Sequence, residues 1–165
     1  MHPIMPLGDA MAVRLAVVDD APAIAAVQVQ TWRSAYAGLM PDEVLAAQSV
    51  ERRTAMWQRL IPDGGVWVAL VDDEVVGFAS AGQSRDADAA FELYAIYVLS
   101  SSAGKGLGFE LTKAALGDEP DVIVWVLDTN VQARRFYERI GFRADGVTKT
   151  ETEDGAELTE VRYRR

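Results

Sequence analysis

The chain has 165 residues, half of them hydrophobic, a net charge of −9 and no cysteine. That is about one domain with ample material for a core; it excludes disulfides, zinc–thiolate sites and thiol nucleophiles, and it argues against non-specific nucleic-acid binding. The only histidine is His2, within residues 1–10 that read as a mobile terminus, so histidine metal clusters and a Ser-His-Asp triad are excluded as well.

Residues Ala12 to Val18 read as a first strand, and Asp19 and Asp20 as caps of a helix with Pro22 in its first turn. Along it Ile24, Val27, Thr31 and Ala35 recur at helical spacing beside a second stripe of Ala25, Val29, Trp32 and Tyr36. Two stripes mean that this helix packs on more than a sheet or lines a pocket. Gly38 ends it, and Pro41, Asp42 and Glu43 open another helix reaching to about Leu60, with Val44, Leu45 and Trp57 turned inward. After Pro62 to Gly65, Val66 to Val71 and Val75 to Ser80 read as a strand pair joined by Asp72, Asp73 and Glu74, and a polar stretch from Gln83 to Asp88 follows.

From Glu92 to Leu99 the chain is rich in β-branched and aromatic residues, as a strand buried on both faces requires. Ser100 to Ala103 then lead into Gly104, Gly106 and Gly108, and the residues from Phe109 to Leu116 are good helix formers. A glycine loop at a helix start presents unpartnered N–H groups to an anion, with Lys105 as the fixed positive charge beside them. The letters match neither a Walker A loop, since Lys105 precedes Gly106 with no hydroxyl at the required place, nor G-x-G-x-x-G, since the glycines alternate strictly.

Asp121 to Asp128 is a further apolar strand, and the helix beginning near Asn130 carries Ala133, Phe136, Tyr137 and Ile140 on one stripe before Gly141 stops it. Two last strands, Arg143 to Thr150 and Ala156 to Arg164, are joined through Glu153, Asp154 and Gly155, where Asp-Gly favours a hairpin. This order predicts an α/β layer structure with a mixed sheet, in one unit spanning 1–165 without repeats or linkers. No run of 18 apolar residues suggests a membrane span, and Met1 to Met11 lacks the pattern of a signal peptide, so a cytoplasmic location is the default.

Ala103 to Gly108 resembles the acyl-CoA loop of the Gcn5-related N-acetyltransferases (GNAT), Gln/Arg-x-x-Gly-x-Gly/Ala, with Ala103 standing where Gln or Arg is usual. The segment Asn130 to Phe142, NVQARRFYERIGF, resembles the second signature of the same family, and the element order matches over nearly the whole chain. The resemblance implies a mostly antiparallel mixed sheet flanked by helices. It also implies an acetyl-CoA-dependent N-acetyltransferase acting on a small-molecule or peptide amine by direct transfer in a ternary complex, without a metal. A homodimer is common among the proteins it resembles. A non-catalytic acyl-CoA-binding module is the other reading.

The resemblance places pantetheine contacts at Ile96, Tyr97 and Val98, the pyrophosphate on Gly104, Lys105, Gly106, Leu107, Gly108 and Phe109, and a cofactor amide contact at Asn130. That residue is equally suited to cap its helix. Tyr137 is implied as the general acid that protonates the CoA sulfur, and it is also a member of the buried stripe. Glu92, on the alternating face of Tyr94, Ile96 and Val98, is the candidate general base; a solvated or salt-bridged strand-end carboxylate is the alternative. The catalytic glutamate of the ribosomal-protein N-terminal acetyltransferases, five positions before the helix Asn, corresponds to Trp125 and does not carry over. Trp32, Tyr36 and Tyr94 are candidates for an aromatic wall around the acceptor amine, or for core packing.

Overall fold

The computed structural model describes residues 4–8, 10–153 and 155–165, with the backbone alone at 5–8 and 153. Eight strands, β1 (Met5–Gly8), β2 (Met11–Leu15), β3 (Val66–Val71), β4 (Glu74–Gln83), β5 (Phe91–Val98), β6 (Val122–Leu127), β7 (Arg143–Glu153) and β8 (Ala156–Arg164), form one sheet in the order β1-β2-β3-β4-β5-β6-β8-β7. Only β5 and β6 run parallel, which makes the sheet mixed and mostly antiparallel as expected. Met5–Gly8, within the segment expected to be a mobile terminus, pairs with β2.

The helices divide between the two faces because successive strand residues point to opposite sides. Val66, Val68 and Leu70 of β3 pack with Ile24 and Val27 of α1 (Ala21–Ala35) and Trp57 of α3 (Val50–Leu60). Ala69, one residue out of phase, packs with Leu107, Leu111 and Leu116 of α4 (Leu107–Leu116) and Tyr137 of α5 (Val131–Arg139). A third, smaller core joins Leu45 of α2 (Asp42–Ala46) and Met40 to Leu127, Ala156 and Leu158.

Three local expectations are corrected. The helix expected from Pro41 to Leu60 is two, because Ser49 accepts the Arg52 N–H at 3.2 Å and starts α3 afresh. Asp20 does not cap α1 with its side chain; its carboxylate takes Arg14 at 2.6 and 2.9 Å and the Val17 N–H at 2.8 Å. Burial alone would raise that carboxyl, but the Arg14 hydrogen bonds, the Val17 N–H and the Arg14 charge outweigh it and hold it below its ordinary value. The β3–β4 turn contains Asp72 and Asp73 alone, both left-handed at φ 51 and 65, the pair of conformations a two-residue hairpin loop requires. Asp154 of the last expected turn lies outside the described residues.

Two irregularities shape the centre of the sheet. Ala81 pairs with Leu93 and Ser80 with Ala95, so Tyr94 is an extra residue in β5, a β-bulge that kinks the strand. At the same point the parallel ladder ends: β6 pairs only with Phe91, Glu92 and Leu93, and beyond them β5 and β6 part.

Candidate active site

Where β5 and β6 part, a cavity of about 1020 Å³ runs through the sheet, lined by Tyr94 to Leu99 on one side and Val124 to Leu127 on the other. The backbone edge of β5 beyond Leu93 has β4 on one side and the cavity on the other. Ile96, Tyr97 and Val98 therefore present an unpaired strand edge to whatever enters, as β-strand recognition demands.

One end of the cavity is closed by the glycine loop. Gly104 and Gly106 are left-handed, at φ 79 and 78, and a Cβ on either would point into open space. Gly108 serves differently: a Cβ there would meet the Phe136 ring at 3.2 Å, so its smallness lets α4 and α5 approach. The first backbone bond of α4 runs from the Glu110 N–H to the Gly106 carbonyl, at 3.1 Å. The N–H groups of Leu107, Gly108 and Phe109 lie ahead of it at the positive end of the helix. Lys105 is exposed beside the loop and is not in the cavity lining.

Tyr137 and Asn130 reach the cavity from α5. The Tyr137 ring lies among Phe136, Phe142 and Tyr163, with centroids 5.6, 5.9 and 6.3 Å away. Burial pushes its phenol well above the usual range, and the Tyr97 phenol adds to the effect, so the group keeps its proton. Asn130 Oδ1 accepts the Ala133 N–H at 3.1 Å, the helix cap that the sequence also allowed.

Of the expected acceptor wall, Tyr36 and Tyr94 line the cavity and Trp32 does not. Trp32 stands behind Tyr36, ring centroids 4.4 Å apart, and packs against the core around Met40 and Leu45. Glu92 is not brought to the cavity either. The bulge at Tyr94 inverts the alternation, so that Phe91 and Leu93 share a face with Ile96 and Val98 while Glu92 falls on that of Ala95 and Tyr97. Its side chain is 1% exposed, and its two oxygens accept the Arg85 N–H at 3.0 Å, Arg85 Nε at 3.3 and 3.2 Å, and Arg85 Nη2.

Among the cavity residues that escaped sequence reasoning, two stand out chemically. Trp125 and Glu160 line the cavity, and among the described residues Glu160 is the only carboxylate in the lining. They meet there through the β6–β8 register, Trp125 opposite Arg162 and Leu127 opposite Glu160, for which no local sequence signal exists.

Residues 29–142 match the family model described as the acetyltransferase (GNAT) family. The chain is 28% identical over 159 residues to the probable N-acetyltransferase Rv2775 of Mycobacterium tuberculosis, covering 92% of this chain and 91% of that one. It is 32% identical over 130 residues to the uncharacterized N-acetyltransferase YuaI of Bacillus subtilis, covering 72% of each. The fold is similar to that of yncA from Salmonella typhimurium, solved with its cofactor acetyl-CoA, with a TM-score of 0.68 at 20% identity over 95% of this chain and 94% of the other.

Proposed function

The chain belongs to the acetyltransferase (GNAT) family, and from that premise we propose that it moves the acetyl group of acetyl-CoA to a primary amine by direct transfer in a ternary complex. The observation that carries the reading is the parting of β5 from β6 beside a glycine-shaped helix start, in one continuous cavity. The residues suit an acyl-CoA. A pantetheine amide needs a free strand edge, which Ile96, Tyr97 and Val98 offer, and a pyrophosphate needs convergent N–H groups, which Leu107, Gly108 and Phe109 offer.

Acetyl-CoA supplies an activated acyl group as a thioester. The N–H groups of the free β5 edge polarise its carbonyl oxygen and stabilise the oxyanion that forms when nitrogen attacks. As the N–C bond forms and the C–S bond breaks, Tyr137, kept neutral by burial, donates its proton to the departing sulfur, and the proton that the amine nitrogen loses passes to solvent and restores the phenol. No cysteine-bound acyl intermediate is involved, since the chain has no cysteine to form one.

Replacing Tyr137 with Phe removes the donor and keeps the ring packing. Turnover, followed by release of free CoA, falls by about 10²–10⁴, while acetyl-CoA affinity in a calorimetric titration stays within about threefold. Unchanged turnover would remove Tyr137 from the chemistry. Cofactor binding without turnover on any amine, in the unaltered protein, would establish the non-catalytic module instead.

A further inference from the structure

Resting on that acetyltransferase reading, we infer that the acceptor's ammonium group is received by Glu160 against the face of Trp125, in the place now held by Lys149. Lys149 of β7 lies opposite Glu160 of β8 in the hairpin register. Its Nζ stands 3.9 Å from Glu160 Oε1 and 4.2 Å from the centroid of the Trp125 ring. An alkylammonium thus already sits beside a carboxylate and an aromatic face that both line the cavity, while Lys149 itself lies outside the lining. This pairing of negative charge with a π surface is how a primary ammonium is recognised.

The arrangement is a stand-in that an incoming amine can displace. The ion pair is longer than a hydrogen bond and its side chains are 35% and 28% exposed, a combination that contributes little to stability. The wall behind it is fixed. Trp125 Nε1 donates to Asp86 Oδ2 at 3.1 Å, and Arg162 Nη1 donates to the same oxygen at 3.1 Å, so the indole keeps its orientation when Lys149 leaves.

The remaining lining sets the class of acceptor. Tyr36, Tyr94, Tyr97 and Leu127 complete this side, and among the described residues the one cation in the lining, Arg139, belongs to α5 with Tyr137. The Glu160 charge reaches the Tyr97 phenol, which burial raises above its usual value, Glu160 raises further and Arg53 opposes. Such a surface takes a primary ammonium on an apolar or aromatic body. It disfavours an amine with a carboxylate beside it, because Glu160 repels that charge and the displaced Lys149, partly exposed to solvent, offsets it only weakly.

The test follows the Trp125 indole N–H signal by NMR, identified through its loss in Trp125→Phe, with and without bound CoA. The titrants are phenethylammonium, its neutral analogue phenethyl alcohol, and phenylalanine, which adds a carboxylate. The ammonium is expected to shift the signal saturably, and the other two to bind at least about tenfold more weakly. Glu160→Gln should weaken the ammonium by about tenfold or more, and Lys149→Met should tighten it several-fold. The signals of Trp32, Trp57 and Trp67 report that the variants remain folded. No saturable shift with the ammonium, equal binding of amine and alcohol, or an unaltered affinity in Glu160→Gln overturns the assignment. A calorimetric CoA titration on the same samples reads the acetyltransferase assignment separately.

Discussion

Glu92→Gln separates a structural carboxylate from a catalytic one. In the native protein both carboxylate oxygens are occupied by Arg85, and the Glu92 side chain is 1% exposed while that of Arg85 is 65% exposed. The amide oxygen of Gln can keep the Arg85 backbone N–H, but its NH₂ then faces a guanidinium, donor against donor. A hydrogen bond to a charged group is worth about 1.5–3 kcal/mol, and because the guanidinium can turn to water the low end applies, about 1.5–2 kcal/mol. For a chain of this length that lowers the melting temperature by about 3–8 °C. Arg85→Met strands the buried charge itself and costs more, about 3 kcal/mol after allowance for solvent on the Arg85 side. Urea unfolding of both variants gives the stability, and release of CoA with a working amine gives kcat, which should stay within about threefold of the unaltered enzyme in Glu92→Gln. An unchanged urea midpoint together with a loss of kcat of about 100-fold or more would refute the reasoning, since only a group that handles the amine's proton behaves in that way.

Asn130 can be split into its two roles: Asn130→Asp keeps an oxygen for the Ala133 N–H and should hold stability near that of the native protein, whereas Asn130→Ala loses about 1 kcal/mol of it in urea unfolding. If the Asn130 amide also donates to the cofactor, both variants weaken acetyl-CoA in calorimetry, and an unaltered affinity in the Asp variant limits the residue to capping. The Arg14–Asp20 pair contributes an acid-side stability term. Because the folded carboxyl is held below its unfolded value, the unfolded chain binds the proton first; the term is full above about pH 4 and is lost as pH falls through the folded value. In Arg14→Met burial acts on Asp20 against the Val17 N–H alone, so the urea midpoint should drop at neutral pH while the acid-side loss due to Asp20 shrinks or reverses, and pH profiles that run parallel to the native one would contradict this.

Much of the fold is legible because it is written locally. The strand from Glu92, the glycine loop and the helix after it appear where period and composition place them, and the stripe through Phe136, Tyr137 and Ile140 faces the core as its spacing requires. What failed depends on information outside the local window. Period-two alternation put Glu92 with Ile96 and Val98, and a single inserted residue at Tyr94 reversed that assignment; nothing in the letters marks a bulge that contains no glycine. Glu160 could not be found because β8 inserts between β6 and β7, a pairing set by the whole sheet. Asp20 and Asn130 look alike as capping residues, yet only Asn130 caps its helix, because Arg14 on the neighbouring strand competes for Asp20. Ser49, by contrast, was a readable cap within the stretch assigned to one long helix.

The segment between β4 and β5 explains how the cavity walls around Tyr94 and Trp125 are held. Residues 84–90, between β4 and β5, supply the groups that fix two aromatic walls. Arg85 is anchored on Glu92 and lies 5.2 Å from the centre of the Tyr94 ring, and the Tyr94 hydroxyl donates to the Gln83 carbonyl. Asp86 holds the Trp125 indole, and with Asp88 it also holds Arg162, whose remaining Nε goes to Asp145 at 2.7 Å. Arg162 is 4% exposed, and so buried a charge is tolerable only when its donors are matched, as they are here by three aspartates. Glu92 therefore affects the site through Arg85 and Tyr94, and Arg162 through Asp86 and Trp125. Neither touches the cavity, yet each holds a ring that does. The bulge lies where β5 and β6 part, and these two ion-paired arginines keep the walls of that opening in position, so whatever enters meets a surface already arranged.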